Sequence, residues 1–306
     1  MKLKSLTDAL GTHLPEVLRW GGAVARQLRQ HNISLAGKSS GSAYTDALTL
    51  ADLTVQELLV SALRDRDPNF RKCCIDAEEE TGDLDRFATD GEYTIALDPI
   101  DGTKQYRDKT GNAYAVMLHL RSVVTVHYSL VYLPEDGEHG SWVEAVDDQV
   151  VCGPDDPSRP ARKVLDTLKP VDPTTWPGSK KIYLIGFQND DPIKARMVSD
   201  SGLEGVPPDR MPGNILPLMS RGEYGGSLIH TPNVYDFPVL LHIARIFGGD
   251  AHWVHNDKPV HFQELWIDDR ADMLRLPGIV ACGSNHQTLD RLVDLARGWN
   301  PIRYAK

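Results

Sequence analysis

The sequence predicts an α+β fold. Three observations carry that expectation: two early stretches with apolar residues at helical spacing, a block of short β-rich runs from Tyr93 onward, and a second half where strand-like and helix-like segments alternate. With 306 residues and 41 % apolar content, the chain can bury a large core, as one long domain or two packed halves.

Residues 6–30 place Leu10, Leu14, Val17, Leu18, Val24 and Leu28 at helical spacing, with Arg26, Arg29 and Gln30 falling mostly elsewhere. A polar, glycine-bearing stretch at 37–45 follows. Leu50, Leu53, Leu58, Leu59, Ala62 and Leu63 then predict a second helix that ends near Asp67-Pro68. The two helices are expected to pack together over a sheet. The β-rich runs cover 93–97, 113–120, 123–133 and 142–151, separated by turn residues.

Residues 154–178, rich in proline, aspartate and serine, read as a surface connection between an N-terminal half, 1–153, and a C-terminal half, 179–306. The second half resumes with a strand over 181–187 and helices near 192–200 and 214–221. A helix over 237–247 follows, with Pro238 in its first turn, where a missing N–H is harmless, and Gly248-Gly249 ending it. A strand over 278–282 and a helix over 286–297 close the chain.

A formal charge of -10 argues against a nucleic-acid polymer or an anionic membrane as partner, since both need a basic surface. An anionic substrate would need local cations, and bound metal ions are one source. Cys73, Cys74, Cys152 and Cys282 form no zinc-knuckle or redox spacing, so a reduced, cytoplasmic protein is expected. No apolar run approaches the ~20 residues of a membrane span. The N-terminus lacks a continuous apolar core followed by a small-residue cleavage site, so a secretory leader is not expected.

Chemistry concentrates at Asp98-Pro99-Ile100-Asp101-Gly102-Thr103, where a β-rich run leads into two acids, a glycine and a hydroxyl. Carboxylates at a strand end can bridge hard divalent cations. Pro99 stiffens the turn, Gly102 lets backbone N–H groups approach an anion, and a helix starting there would favour a phosphate oxygen. Three other acidic features are weaker alone. Glu78-Glu79-Glu80 reads as a solvated loop, Asp236 as a helix N-cap, and Asp52, after Thr49, as a solvent-facing helical residue.

The order of these pieces, across roughly residues 38–265, resembles the inositol monophosphatase superfamily of metal-dependent, lithium-sensitive phosphatases. Leu48-Thr49-Leu50-Ala51-Asp52 is similar to its early Thr-x-x-Asp. Ala77-Glu78-Glu79 is similar to its small residue plus Glu-Glu, and Asp98 to Thr103 to its Asp-Pro-Ile-Asp-Gly-Thr. Tyr235-Asp236, a helix and Gly248-Gly249 resemble its Trp-Asp, helix, Gly-Gly block. The resemblance implies a layered α/β/α/β/α sandwich, as in inositol monophosphatase and fructose-bisphosphatase, and Mg2+ as cofactor, two or three ions per site. It implies one ion on Glu78, Asp98 and the Ile100 carbonyl, and a second on Asp98, Asp101 and Asp236. Glu79 replaces Glu78 if the register slips by one. Asp52 and Thr103 would orient and deprotonate the attacking water, with Gly102 and Thr103 N–H groups on phosphate oxygens.

The implied substrate is a small phosphorylated metabolite. Lys104, followed by Gln105-Tyr106 and Gly111 to Val116, looks like the 3'(2'),5'-bisphosphate nucleotidase branch, and Lys104 would meet a second phosphate. That branch usually carries Arg/Ser-Ser-His where this chain has Gly186-Phe187-Gln188-Asn189-Asp190, and the family's Gly-Ser element here reads Pro212-Gly213-Asn214. Inositol phosphates and sugar (bis)phosphates are the alternatives, and a non-catalytic metal- or phosphate-binding homologue is the alternative of another class. Many relatives dimerise, so a homodimer is compatible with the resemblance.

Overall fold

Residues 2–31, 33–35, 48–176 and 178–304 are described by the computed structural model. The first helix, α1, runs Leu3–His31 and buries Leu6, Leu10, Leu14, Val17 and Leu18, the stripe its periodicity predicts. Pro15 lies inside it and has no N–H for the Gly11 carbonyl. Arg162 Nη1 approaches that carbonyl at 3.5 Å instead. Helix α2, Leu50–Arg66, starts at a capping box in which Thr49 and Asp52 exchange side-chain and backbone hydrogen bonds. The 37–45 stretch lies outside the described residues.

Both helices cover one face of a six-stranded sheet in the order β1-β2-β3-β4-β5-β6. Its strands are β1 (Cys74–Ala77), β2 (Thr94–Asp101), β3 (Ala115–Arg121), β4 (Val126–Leu133), β5 (Ser141–Val146) and β6 (Gln149–Pro154). Strand β1 runs parallel to β2, and the later pairs are antiparallel. A six-residue helix, α3 (Thr103–Asp108), leaves the end of β2.

The segment predicted as one strand over 142–151 is a hairpin. The chain turns at Asp147, whose φ is +53°, so β5 pairs with β6 in register from Val146↔Gln149 to Ser141↔Pro154. Apolar alternation on both arms reads as one run, and only the paired acids Asp147-Asp148 mark the turn. The 154–178 segment is tied down as well as connecting. Its short helix α4 (Ala161–Leu165) buries Ala161, Val164 and Leu165 in the α1 core. Arg19 on α1 grips Asp155 at 2.8 and 2.6 Å.

The C-terminal residues build a second six-stranded sheet, ordered β11-β10-β14-β9-β7-β8. Its strands are β7 (Lys181–Ile185), β8 (Glu204–Val206), β9 (Gly226–His230), β10 (Asp250–Trp253), β11 (Lys258–Pro259) and β14 (Ile279–Gly283), while β12 (Trp266–Asp268) and β13 (Met273–Arg275) pair separately. Helices α5 (Asp191–Asp200) and α8 (His286–Ala296) bury Val198, Leu289, Leu292 and Val293 against it. Helices α6 (Ile215–Ser220) and α7 (Phe237–Ile246) lie between the sheets, where Met219, Phe237 and Leu241 share one core with Met117, Val131 and Val280. The layers are therefore α/β/α/β/α. Gly248, at φ +87°, ends α7 in a left-handed turn, with Gly248 N–H on the Arg245 carbonyl and Gly249 N–H on that of Ala244.

All four cysteines are free thiols. Among the described residues, no helix is long and apolar enough to cross a membrane.

Candidate active site

The register of β2 explains how two acids three positions apart come to share one side. Asp98 pairs with Met117 and Asp101 with Ala115, so three steps on β2 match two on β3. Side chains alternate along a regular strand, which would send these two to opposite faces. A bulge absorbs one extra residue and cancels that alternation. Pro99 falls inside it, where its missing N–H costs the ladder nothing. The Ile100 N–H donates to Asp98 Oδ1 at 3.0 Å.

Asp236 arrives from the second half of the chain. Asn233 Oδ1 accepts from the N–H groups of Tyr235 and Asp236 at 2.8 and 3.0 Å, an Asx turn that sets the entry to α7. The Asp236 side chain makes no capping hydrogen bond. It meets Asp98 and Asp101 instead, and one carboxylate oxygen from each lies within 4.8 Å of the others. Tyr235, buried beside it, accepts from the Leu274 N–H at 3.2 Å through its hydroxyl.

Of the neighbouring glutamates, Glu78 lines the same cleft as the three aspartates. Glu79 is 7 % exposed. Its backbone N–H donates to Gln56 Oε1 at 2.9 Å and its carbonyl accepts from Gln56 Nε2. Asp52 does not face solvent: it is 1 % exposed. Its Oδ2 accepts from the Thr49 N–H and hydroxyl at 2.7 and 2.6 Å, and its Oδ1 faces Thr103 Oγ1 at 3.1 Å. Gly102, at φ +86°, makes the left-handed step from β2 into α3 that places Thr103 there.

The electrostatics are those of a cation site. Burial, then the charges of Glu78, Asp101 and Asp236, hold the Asp98 carboxyl well above its usual range. Burial raises Asp101 to about 6, against the Asn214 hydrogen bond, which lowers it. Asp236 rises to about 8 through burial and the charges of Asp101 and Glu78. Like charges this close resist joint ionisation unless a cation sits between them. A hard divalent ion with oxygen ligands is the group that donor set fits.

Two contributors escaped the sequence reading as site residues. Asn214 caps α6 by accepting from the Leu216 N–H at 2.9 Å, while its Nδ2 donates to Asp101 Oδ2 at 2.6 Å and the Ala113 carbonyl at 3.1 Å. An asparagine before an apolar helical run signals the cap and nothing more. Arg275 lies near enough to lower the Asp236 pKa, and its Nε donates to the buried Asp268 at 2.9 Å. No local pattern predicts that approach.

The carboxylates line a cleft of about 570 Å3 whose walls also include Lys104, Ile185, Met211, His230 and Arg275. Lys104 is 3.6 Å from Asp108, one helical turn on.

The sequence profile described as the Inositol monophosphatase family matches residues 12–152. No curated protein matches the chain by sequence. Among solved structures, inositol monophosphatase from Anabaena (Nostoc) sp. PCC 7120 superposes with a TM-score of 0.64 at 17 % identity, covering 99 % of both chains. CysQ from Bacteroides thetaiotaomicron, a bacterial member of the inositol monophosphatase family, does so at 0.62 and 16 %, covering 91 % of this chain and 98 % of its own. An IMPase/NADP phosphatase complexed with Mg2+ and phosphate gives 0.63 at 13 %, covering 97 % and 96 %. These likenesses carry the fold, and the profile covers the segment that supplies Asp98 and Asp101. The chain therefore has the fold of the inositol monophosphatase structures, and residues 12–152, which include the acidic signature at Asp98 to Thr103, match that family's profile.

Proposed function

We propose that the protein hydrolyses a small phosphorylated metabolite, with a 3'(2'),5'-bisphosphate nucleotide ahead of inositol and sugar phosphates. One observation carries the hydrolytic reading: the Asp98, Asp101 and Asp236 oxygens gather within 4.8 Å of one another, beside the Asp52–Thr103 pair. Glu78, Asp98 and the Ile100 carbonyl would hold one magnesium, and Asp98, Asp101 and Asp236 a second. Glu78 is preferred to Glu79 because its side chain lines the cleft, whereas the backbone of Glu79 is clamped by Gln56.

Magnesium held there supplies Lewis acidity toward the phosphate ester and the attacking water. The chain's own groups do the rest. Thr103 Oγ1 accepts a hydrogen from the incoming water and passes its own to Asp52, whose burial raises its pKa to about 6 and makes it a competent base near neutrality. Thr49 holds the other Asp52 oxygen with two donors, so the carboxylate cannot rotate away. The Gly102 and Thr103 N–H groups face phosphate oxygens.

For the substrate, Lys104 on the cleft wall offers a cation to a second phosphate. The cleft volume lies in the range of nucleotide-sized ligand sites. The test is phosphate release, with magnesium, from adenosine 3',5'-bisphosphate, inositol monophosphate and sugar phosphates. Turnover fastest on the bisphosphate supports the substrate, turnover only on the others replaces it, and no turnover by folded protein refutes the hydrolytic reading.

A further inference from the structure

Arg29, in the last turn of α1, is a cation buried to 8 % exposure. It makes five hydrogen bonds. Nε donates to the Tyr106 carbonyl at 3.0 Å, Nη2 to the carbonyls of Gln105 at 3.2 Å and Gly111 at 2.5 Å, and Nη1 to Asn112 Oδ1 at 2.9 Å and Glu135 Oε2 at 2.6 Å. Its guanidinium carbon lies 5.5 and 5.1 Å from the ring centres of Tyr106 and Tyr114. Four of the five acceptors belong to α3 and the loop after it.

Helix α3, with six residues, is too short to hold its own geometry. Its first residue is Thr103, whose hydroxyl faces Asp52, so its orientation must come from anchors elsewhere. Both anchors on α1 lie one turn apart: the Tyr106 hydroxyl donates to the Ala25 carbonyl at 2.6 Å, and Arg29 grips the far end. Carbonyls at a helix C-terminus run short of partners; of the two on α3 that Arg29 takes, that of Gln105 also accepts from the Lys109 and Thr110 N–H groups. The planar fork of an arginine supplies several donors at once and a charge that suits the negative helix end, which the single ammonium of lysine cannot match.

Arg29 also fixes an amide. A guanidinium only donates, so the Asn112 atom facing it is the oxygen, and Nδ2 is what that side chain can offer the cleft it lines. We propose that Arg29 is a positioning residue: by holding α3 and residues 111–112, it sets Thr103 against Asp52 and turns the Asn112 Nδ2 toward an acceptor oxygen of the substrate. The proposal rests on the hydrolytic reading above.

The experiment compares wild type with Arg29→Gln, Arg29→Lys and Asn112→Asp, reading kcat, KM, magnesium affinity by calorimetry and melting temperature. A displacement of Thr103 costs about tenfold to a hundredfold in kcat. Both Arg29 variants should show that loss with magnesium affinity unchanged, because Asp98, Asp101 and Asp236 sit on β2 and before α7. Asn112→Asp keeps the acceptor toward Arg29 but removes the donor, so KM should rise about tenfold. Unchanged kcat in a folded Arg29 variant overturns the proposal, as do magnesium affinity and melting temperature falling in step with kcat. An unchanged KM in Asn112→Asp removes the amide's part. If wild type turns over nothing, the hydrolytic reading fails by itself. A structure of Arg29→Lys then decides this point, since a Thr103–Asp52 distance still at 3.1 Å refutes it.

Discussion

Thr103 Oγ1 lies 3.1 Å from Asp52 Oδ1 and 2.8 Å from the Ile100 carbonyl, so one hydroxyl hydrogen faces two acceptors. When the Ile100 carbonyl is engaged elsewhere, that hydrogen turns to Asp52 and leaves the Thr103 lone pairs toward the cleft. Asp52→Asn and Thr103→Val should therefore each lower kcat by about 10²–10⁴-fold, the usual worth of positioned acid–base groups, with magnesium affinity retained. Steady-state kinetics check this, and a loss below tenfold in both variants would remove the pair from the mechanism.

The charges of Glu78, Asp101 and Asp236 all oppose that of the buried Asp98. Asp98→Asn should lower turnover about a thousandfold or more and weaken magnesium binding, since a metal ligand is worth several kcal/mol. In chelator the same variant should melt no lower than wild type, because a neutral amide relieves the repulsion. Near wild-type turnover would refute the metal assignment.

Lithium should inhibit, acting at the carboxylates of Asp98, Asp101 and Asp236. Phosphate release titrated with lithium chloride, against sodium chloride at equal ionic strength, is the measurement. Equal rates in the two salts would show that this site does not have the family's usual geometry.

Asn214 joins two tasks that a pair of variants separates. Asn214→Ala loses both the α6 cap and the Asp101 contact, and should cost about 1 kcal/mol of stability and about tenfold to a hundredfold in magnesium affinity. Asn214→Asp keeps the cap but sets a further acid against Asp101. Its melting temperature should stay closer to wild type than that of the alanine variant, with phosphate release still impaired. Identical metal binding in all three proteins would reduce Asn214 to a helix cap.

His242, on α7, is 5 % exposed and its Nδ1 lies 2.9 Å from Ser129 Oγ. Burial, then the charge of His127, lowers its pKa to about 3. The unfolded imidazole titrates near 6.5, so between pH 6.5 and 3 the unfolded chain binds the extra proton and stability falls as pH falls. From pH 7 to 5 this group accounts for about 2 kcal/mol. His242→Gln, which keeps an acceptor for Ser129, should show that much less acid destabilisation in urea titrations. Parallel pH profiles would contradict the assignment.

Local periodicity made much of the fold legible. Helices α1, α2, α7 and α8 follow from apolar spacing that one helical face must bury, and Gly248 marked a helix end because a left-handed step suits glycine. The residue types of Asp98 to Thr103 likewise announced oxygen ligands for a hard cation. Their geometry did not follow from the sequence, because a bulge changes facing without changing composition. The 142–151 hairpin was hidden for a related reason: both arms carry the same alternation, and a turn of two acids interrupts it weakly.

What the sequence by itself determined is the α+β class, the longer helices, the strand-forming runs of the first half and the chemistry of the acidic signature, all set by neighbours along the chain. What only the tertiary structure decided is which distant groups meet: Asp236 with Asp98, Asn214 with Asp101, Arg29 with the end of α3. Residues more than a hundred positions apart, such as Asn214 and Asp101, are brought together by the packing of α6 and α7 between two sheets. That packing depends on the sum of many buried contacts, which no short stretch of sequence contains.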